Sequence, residues 1–219
     1  MITYLSNNTD VVLAALRQHI YLALLPVVIG FVLALPIGYL GVRFPRLYHP
    51  LINTAGVLYS IPSLALFVFL PVILGTRILS PVNIVVALSI YTIALLSRTV
   101  ADGLRSVDPL IVQAATAMGY RRLRRLIDVE LPVALPVILA GLRAATVANI
   151  SLVSVGALIG VGGLGQLFTR GFQLFYLEPI LVGIVLSILL AGIADLVIVL
   201  VQRAITPWTR FQHSERTSA

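Results

Sequence analysis

The sequence contains no cysteine and no lysine, and its eight acidic residues face fifteen arginines. Without cysteine there are no disulfides and no thiolate metal sites, and the redox compartment stays undetermined. Without lysine there is no G-x-x-x-x-G-K-[ST] phosphate loop, so ATP hydrolysis would have to reside in another chain. Charge of either sign is scarce: 11% of residues are charged and 59% hydrophobic, which excludes a soluble globular domain. The long apolar runs lack the period-2 alternation of a membrane barrel, leaving helices as the way to satisfy the backbone in lipid. Paired carboxylates within a span and a G-x-S-x-G motif are also missing. His19, His49 and His213 lie far apart in the chain, so neither an enzyme nor a metal or cofactor site is expected, and each histidine reads as interfacial or solvated.

What remains is an all-α, polytopic membrane protein in the cell membrane, with the lipid bilayer as its main surroundings. Apolar runs predict five transmembrane helices at about 19–42, 51–74, 82–100, 133–159 and 180–202. The first, at ~1.5 Å per residue, is long enough to cross ~30 Å of hydrocarbon. The start, MITYLSNNTD, has no basic n-region, so no cleaved leader is expected. A tail over 207–219, rich in Ser, Thr and charge, reads as disordered. The whole reads as a single transmembrane domain, its core at about 17–203. Five spans put the termini on opposite sides. Arg43, Arg46, Arg98 through Arg125, Arg203, Arg210 and Arg216 make eleven arginines on one side; Arg17, Arg77 and Arg170 make three on the other. The positive-inside rule then places the N-terminus outside and the C-terminus in the cytoplasm. That topology accounts for the arginines, and no nucleic-acid partner is expected.

The one long polar interruption is DPLIVQAATAMGYRRLRRLIDVELP, Asp108–Pro132. Asp108 has the chemistry of an N-cap, Pro109 suits a first helical turn, and Gly119 suits a left-handed stop. A short helix, Pro109–Met118, follows, with a small face of Ala114, Ala115 and Ala117. A second amphipathic turn sets Leu123, Leu126 and Ile127 against Arg121, Arg122, Arg124 and Arg125. The pair reads as a cytoplasmic coupling loop, about 106–132, that presses into a partner protein.

Within it, Q-A-A-TAM-G-YRRLRRLID-V-E-L-P resembles the signature loop of ABC-importer permeases, E-A-A-x(3)-G-x(9)-I-x-L-P. Ala114, Ala115, Gly119, Leu131 and Pro132 match; Val129 stands for Ile, and Gln113 replaces the Glu, which removes any charge-dependent contact there. The resemblance covers roughly residues 17–203. It implies a type I importer permease fold, not itself an enzyme. It also implies partners: cytoplasmic ABC ATPase subunits that grip the loop, a second permease subunit (an identical copy or a paralogue), and an extracytoplasmic substrate-binding protein.

Gly160, Gly162, Gly163 and Gly165 in GVGGLG formally fit G-x-G-x-x-G, but no βαβ unit surrounds them. The cluster resembles the GxGGLG turn of methionine and osmoprotectant permeases near the external mouth; the plainer reading is a flexible helix end. The aromatic-rich QLFTRGFQLFY after it suits an interfacial segment. Arg143 and Asp195 are the ionisable residues within spans and reach similar depth from one side, which suits a structural ion pair between spans four and five. Asn53, Asn149, Ser151 and Ser154 are expected to bond between helices.

LPVALPVILAGLRAATVANIS, GVGGLG and IADLVIVLVQRAITP together resemble permeases for glycine betaine, carnitine, choline and related osmoprotectants. The alternative is a permease for methionine or another amino acid. A different class, the ATP-independent secondary transporter, usually shows inverted repeats, and five spans do not split into halves. No substrate-binding residue can be named from the sequence.

Overall fold

The structure, a computed structural model, describes residues 2–210. The rest of the expected tail, with His213 and Arg216, lies outside the described residues; Pro207–Arg210 forms a 3-10 turn. Helices dominate, and among the described residues there is no strand. In order they are α1 (Ile2–Asn7), α2 (Thr9–Arg43), α3 (Pro45–Ser60), α4 (Ser63–Leu74), α5 (Pro81–Arg105), α6 (Pro109–Ala117), α7 (Arg122–Arg125), α8 (Leu131–Gly156), α9 (Gly165–Gln173) and α10 (Leu177–Ile205).

Among the described residues, four helical stretches are each long and apolar enough to cross a membrane: α2, α5, the continuous run Arg122–Ile159, and α10. The expected second span, 51–74, is not one helix. It divides into α3 and α4, bent by 100°. Proline disfavours helical ψ in the residue before it, and Ile61, preceding Pro62, sits at φ −65°, ψ 130°. The bent pair would be a fifth crossing only if counted as one span. The first span also differs, since α2 begins at Thr9, ten residues before hydropathy suggested. Hydropathy marks depth in lipid, whereas a helix continues into water until something stops it.

α5 is the hub, packed against α2, α3, α4 and α8. Its approach to α2 is close because small residues recur there at Gly30, Ala34 and Gly38. A Cβ on Gly30 would lie 2.4 Å from Thr92, and one on Gly38 2.7 Å from Val100. The core joins Leu22 and Ala23 of α2, Phe67 and Leu70 of α4, Ile84, Leu88 and Tyr91 of α5, and Ile150 and Val153 of α8. Asn149 donates from Nδ2 to Thr92 Oγ1 at 2.9 Å, a buried bond between α8 and α5. Asn53 and Ser151 are instead exposed. α10 lies on the outside, its apolar side chains Ile184, Ile188, Ile193 and Leu196 uncovered.

The bundle has two distinct ends. At one, α2 turns into α3 and α5 into α6: Tyr48 donates to Asp102 at 2.9 Å, and Arg105 lies 4.1 Å over the Tyr48 ring. At the other, α1, the start of α2, residues 160–164, α9 and the start of α10 come together around Tyr4, Val12, Ala15, Leu164, Leu167 and Val182.

Candidate functional site

The α5–α8 connection is built from local signals. Asp108 Oδ1 accepts from the Leu110 N–H at 2.8 Å, capping α6. Gly119, at φ 84°, ends it: Tyr120 N–H donates to Ala115 O at 3.2 Å and Gly119 N–H to Thr116 O at 3.0 Å. This is the paired-bond helix stop that favours glycine. The helix ends at Ala117, with Met118 as its cap. The chain then reverses into α7, and a π-helical turn, Leu126–Glu130, carries it into α8, with Leu131 N–H reaching back to Leu126 O. Pro132 has no N–H to offer, so the widened turn sits just ahead of it.

Arg125 holds the two halves of the loop together. Its Nε donates to Glu130 Oε1 at 2.6 Å, and its Nη1 to Thr116 Oγ1 at 2.7 Å. Arg124 pairs with Asp128 at 3.1 Å on the exposed face. Below, Val107 and Leu126 are buried with Val100, Leu104, Ala134 and Ile138, and Val112 and Leu131 pack against them. The root is therefore anchored in the bundle.

The outer face is not covered. Leu110, Met118 and Leu123 are 69%, 71% and 65% exposed, beside exposed Arg121, Arg122 and Arg124. The sequence-predicted residues fall in three settings. Gln113, Ala114 and Gly119 are exposed, Leu131 and Pro132 are half-buried at the root, and Ala115 is buried within the chain. Two expectations change. Ala115 packs against the chain itself and is not part of a free small face. Leu123, Leu126 and Ile127 do not share one apolar side, because Leu126 points into the bundle while Leu123 and Ile127 face out.

The glycine turn lies at the other end. Gly160 and Gly163 have φ of 81° and 88°. Gly162 and Gly165 lack that strain and are short of space: a Cβ on Gly165 would meet Ser154 O at 2.4 Å, and one on Gly162 would meet Gln18 Oε1 at 1.8 Å. The side chains beside Gly162 and Gly163 come from α2. Gly163 N–H donates to Gln18 Oε1 at 3.3 Å, and Leu164 N–H to His19 Nδ1 at 3.1 Å. His19 Nε2 lies 2.9 Å from Ile150 O of α8. Because Nδ1 accepts, Nε2 carries the proton and donates, which is the neutral tautomer. His19 is fully buried, which corrects the reading of it as interfacial or solvated. It and Gln18 are the site residues that the sequence did not single out.

Between the ends, Arg143 and Asp195 meet as a bidentate pair. Nε donates to Oδ1 at 2.6 Å and Nη2 to Oδ2 at 2.8 Å, joining α8 to α10. About a third of each side chain remains open. Among the described residues no cluster of His, Asp and Glu could hold a metal.

Residues 26–207 match the model of the family described as "Binding-protein-dependent transport system inner membrane component". The chain belongs to that family. It is thus a multi-pass membrane permease subunit of a transport system that depends on a binding protein. Among similar permeases is the glycine betaine/carnitine/choline transport system permease protein OpuCB of Bacillus subtilis, 30% identical and covering 94% of each chain. Another is OpuCD of the same organism, with the same printed function, at 32% over 94% of this chain and 89% of that protein. The osmoprotectant import permease protein OsmW of Salmonella typhimurium is 32% identical, over 94% of this chain and 97% of that protein. In three dimensions the chain is similar to a chain of the inward-facing MetNI methionine ABC transporter. The TM-score is 0.82 at 23% identity, covering 91% of this chain and 98% of that one. At that identity the likeness concerns the fold, a type I importer permease. The permease loop and glycine turn both fall within the family match.

Proposed function

We propose that this chain is the permease subunit of an ATP-driven importer for osmoprotectants such as glycine betaine, carnitine or choline. The observation that carries the proposal is the loop Asp108–Pro132, rooted in the bundle yet presenting uncovered apolar side chains among arginines. A rigid lever of this kind suits a groove in a cytoplasmic ATPase, which this lysine-free chain cannot replace. Gln113, Ala114, Ala115, Gly119, Leu131 and Pro132 are the coupling residues by resemblance; Ala115 and Leu131 shape the lever from within, and Gln113 and Gly119 lie on its surface. The arginine-rich end then faces the cytoplasm, the N-terminus and the glycine turn Gly160, Gly162, Gly163 and Gly165 face outward, and a second permease subunit completes the path. Arg143 and Asp195 form a structural pair within the membrane. The names of the similar permeases support the substrate class, and selectivity would rest largely in the binding protein, where aromatic side chains can box a quaternary ammonium.

Gly119→Glu tests the coupling. Position 119 leaves open space for a side chain, at a φ of 84° that strains an L residue by about 1 kcal/mol. With Gly119→Ala as the control for that strain, the variant should insert while uptake falls by about tenfold or more, the effect of losing a dominant interface contact. Normal uptake by an inserted Gly119→Glu protein would remove the loop from its coupling role. A ligand screen on the cognate binding protein decides the substrate: glycine betaine, carnitine or choline supports this assignment, and methionine replaces it.

A further inference from the structure

Two neighbouring side chains of α2 hold the backbone of the glycine turn. Gln18 Oε1 accepts from Gly163 N–H, and His19 Nδ1 accepts from Leu164 N–H. His19 then reaches through Nε2 to Ile150 O on α8, so one buried ring bridges three segments. The bonds end just ahead of α9, where Leu164 and, within the helix, Leu167 are enclosed with Val12 and Ala15 of α2 and Val182 of α10. Gly160 lies against Leu79 of the α4–α5 connection, where an added Cβ would be 2.7 Å away. α2, α8, α10 and the α4–α5 connection meet at this turn, and among the described residues two neutral hydrogen bonds join its backbone to α2. Such bonds can be exchanged for bonds to water or substrate at small net cost.

We propose that Gln18 and His19 are a latch: their bonds to Gly163 and Leu164 hold the turn in its closed position, and releasing them is part of opening the path to substrate from the binding protein. The assignment rests on the importer reading above, which sets the turn at the outer mouth. Gln18 and His19 are positioning residues acting through the turn. A partner that opens the mouth must outweigh the latch, so a weaker latch lowers the stimulus the complex needs.

The test uses the permease assembled with its ATPase in lipid nanodiscs, with and without the binding protein and glycine betaine as the probe substrate. Two variants of His19 separate its bonds. His19→Asn keeps an acceptor near Nδ1 and loses the reach to Ile150; His19→Gln keeps a donor near Nε2 and loses the acceptor for Leu164. Gln18→Leu retains bulk and removes the acceptor for Gly163. His19→Gln and Gln18→Leu should raise ATP hydrolysis in the absence of binding protein by about two- to tenfold, the shift produced by losing one neutral hydrogen bond. His19→Asn should lie nearer the parent protein. Amide exchange over residues 160–165 should quicken in the same order. A gain of basal hydrolysis is a readout that simple loss of structure does not produce. Unchanged exchange in all three variants overturns the latch, and quickened exchange with hydrolysis still wholly dependent on binding protein overturns its role in opening. If binding protein never stimulates the parent complex, the importer reading fails, an outcome distinct from either of these because the exchange rates are read separately.

Discussion

The connection between α5 and α8 and the connection between α8 and α9 solve the same problem at opposite ends of the bundle with different materials. The first stands away from the helices, capped by Asp108, closed by Gly119 and braced by charged bonds through Arg125. Its glycine is needed for backbone angle, since an added Cβ would meet nothing within 4 Å. The second is folded into the bundle, and Gly165 there is needed for room, since an added Cβ would meet the Ser154 backbone. A loop that a partner must grip has to be stiff by itself and uncovered outside. A turn that seals helix ends must be packed, and its backbone groups then need partners from distant chain. The contrast is thus between self-contained local bonding and dependence on tertiary neighbours.

Several substitutions can break or sharpen this contrast. The largest effect is expected in the segment between the two ends, where Arg143→Gln alone leaves Asp195 uncompensated. Folded protein in the membrane should drop, because Asp195 loses both guanidinium bonds at once. The double change with Asp195→Asn should recover most of it, as read by thermal unfolding in detergent. If the double variant is no better than the single, the pair has no structural role. Next comes Gly165→Ala, where the clash is with the Ser154 backbone and cannot be relieved by rotating a side chain. It should cost about 2 kcal/mol through overpacking, and the same assay measures it. Gly119→Ala at the loop should cost about 1 kcal/mol, from the left-handed angle only. Equal losses at the two glycines would erase the distinction between room and angle. The smallest change is expected from Arg124→Ala, whose exposed pair with Asp128 contributes under about 0.5 kcal/mol; its stability should match the parent, and any fall in uptake would then report contact with the ATPase.

The loop was legible in the sequence because its signals are local: a cap, a first-turn proline and a glycine stop act within a few residues. Pro62 permits a break in the expected 51–74 span, but its 100° angle depends on how α4 packs Phe67 and Leu70 against α5. His19 was misread for a related reason. Its bonding partners lie 131 and 145 positions away, and nothing beside it in the chain announces them. Arg143 and Asp195, 52 residues apart, were pairable from sequence because a charge within an apolar span demands a partner and few exist.

The sequence by itself determined a lysine-free, helical, multi-pass membrane protein with one long polar loop, because hydropathy and capping residues act over short range, and the motif in that loop carried its resemblance to permeases. Tertiary structure alone decided which side chains face inward along that loop, how sharply the α3–α4 pair bends, and that Gln18 and His19 close on the glycine turn. Those outcomes depend on which surfaces meet once α2, α5 and α8 pack, and packing is a property of the whole chain.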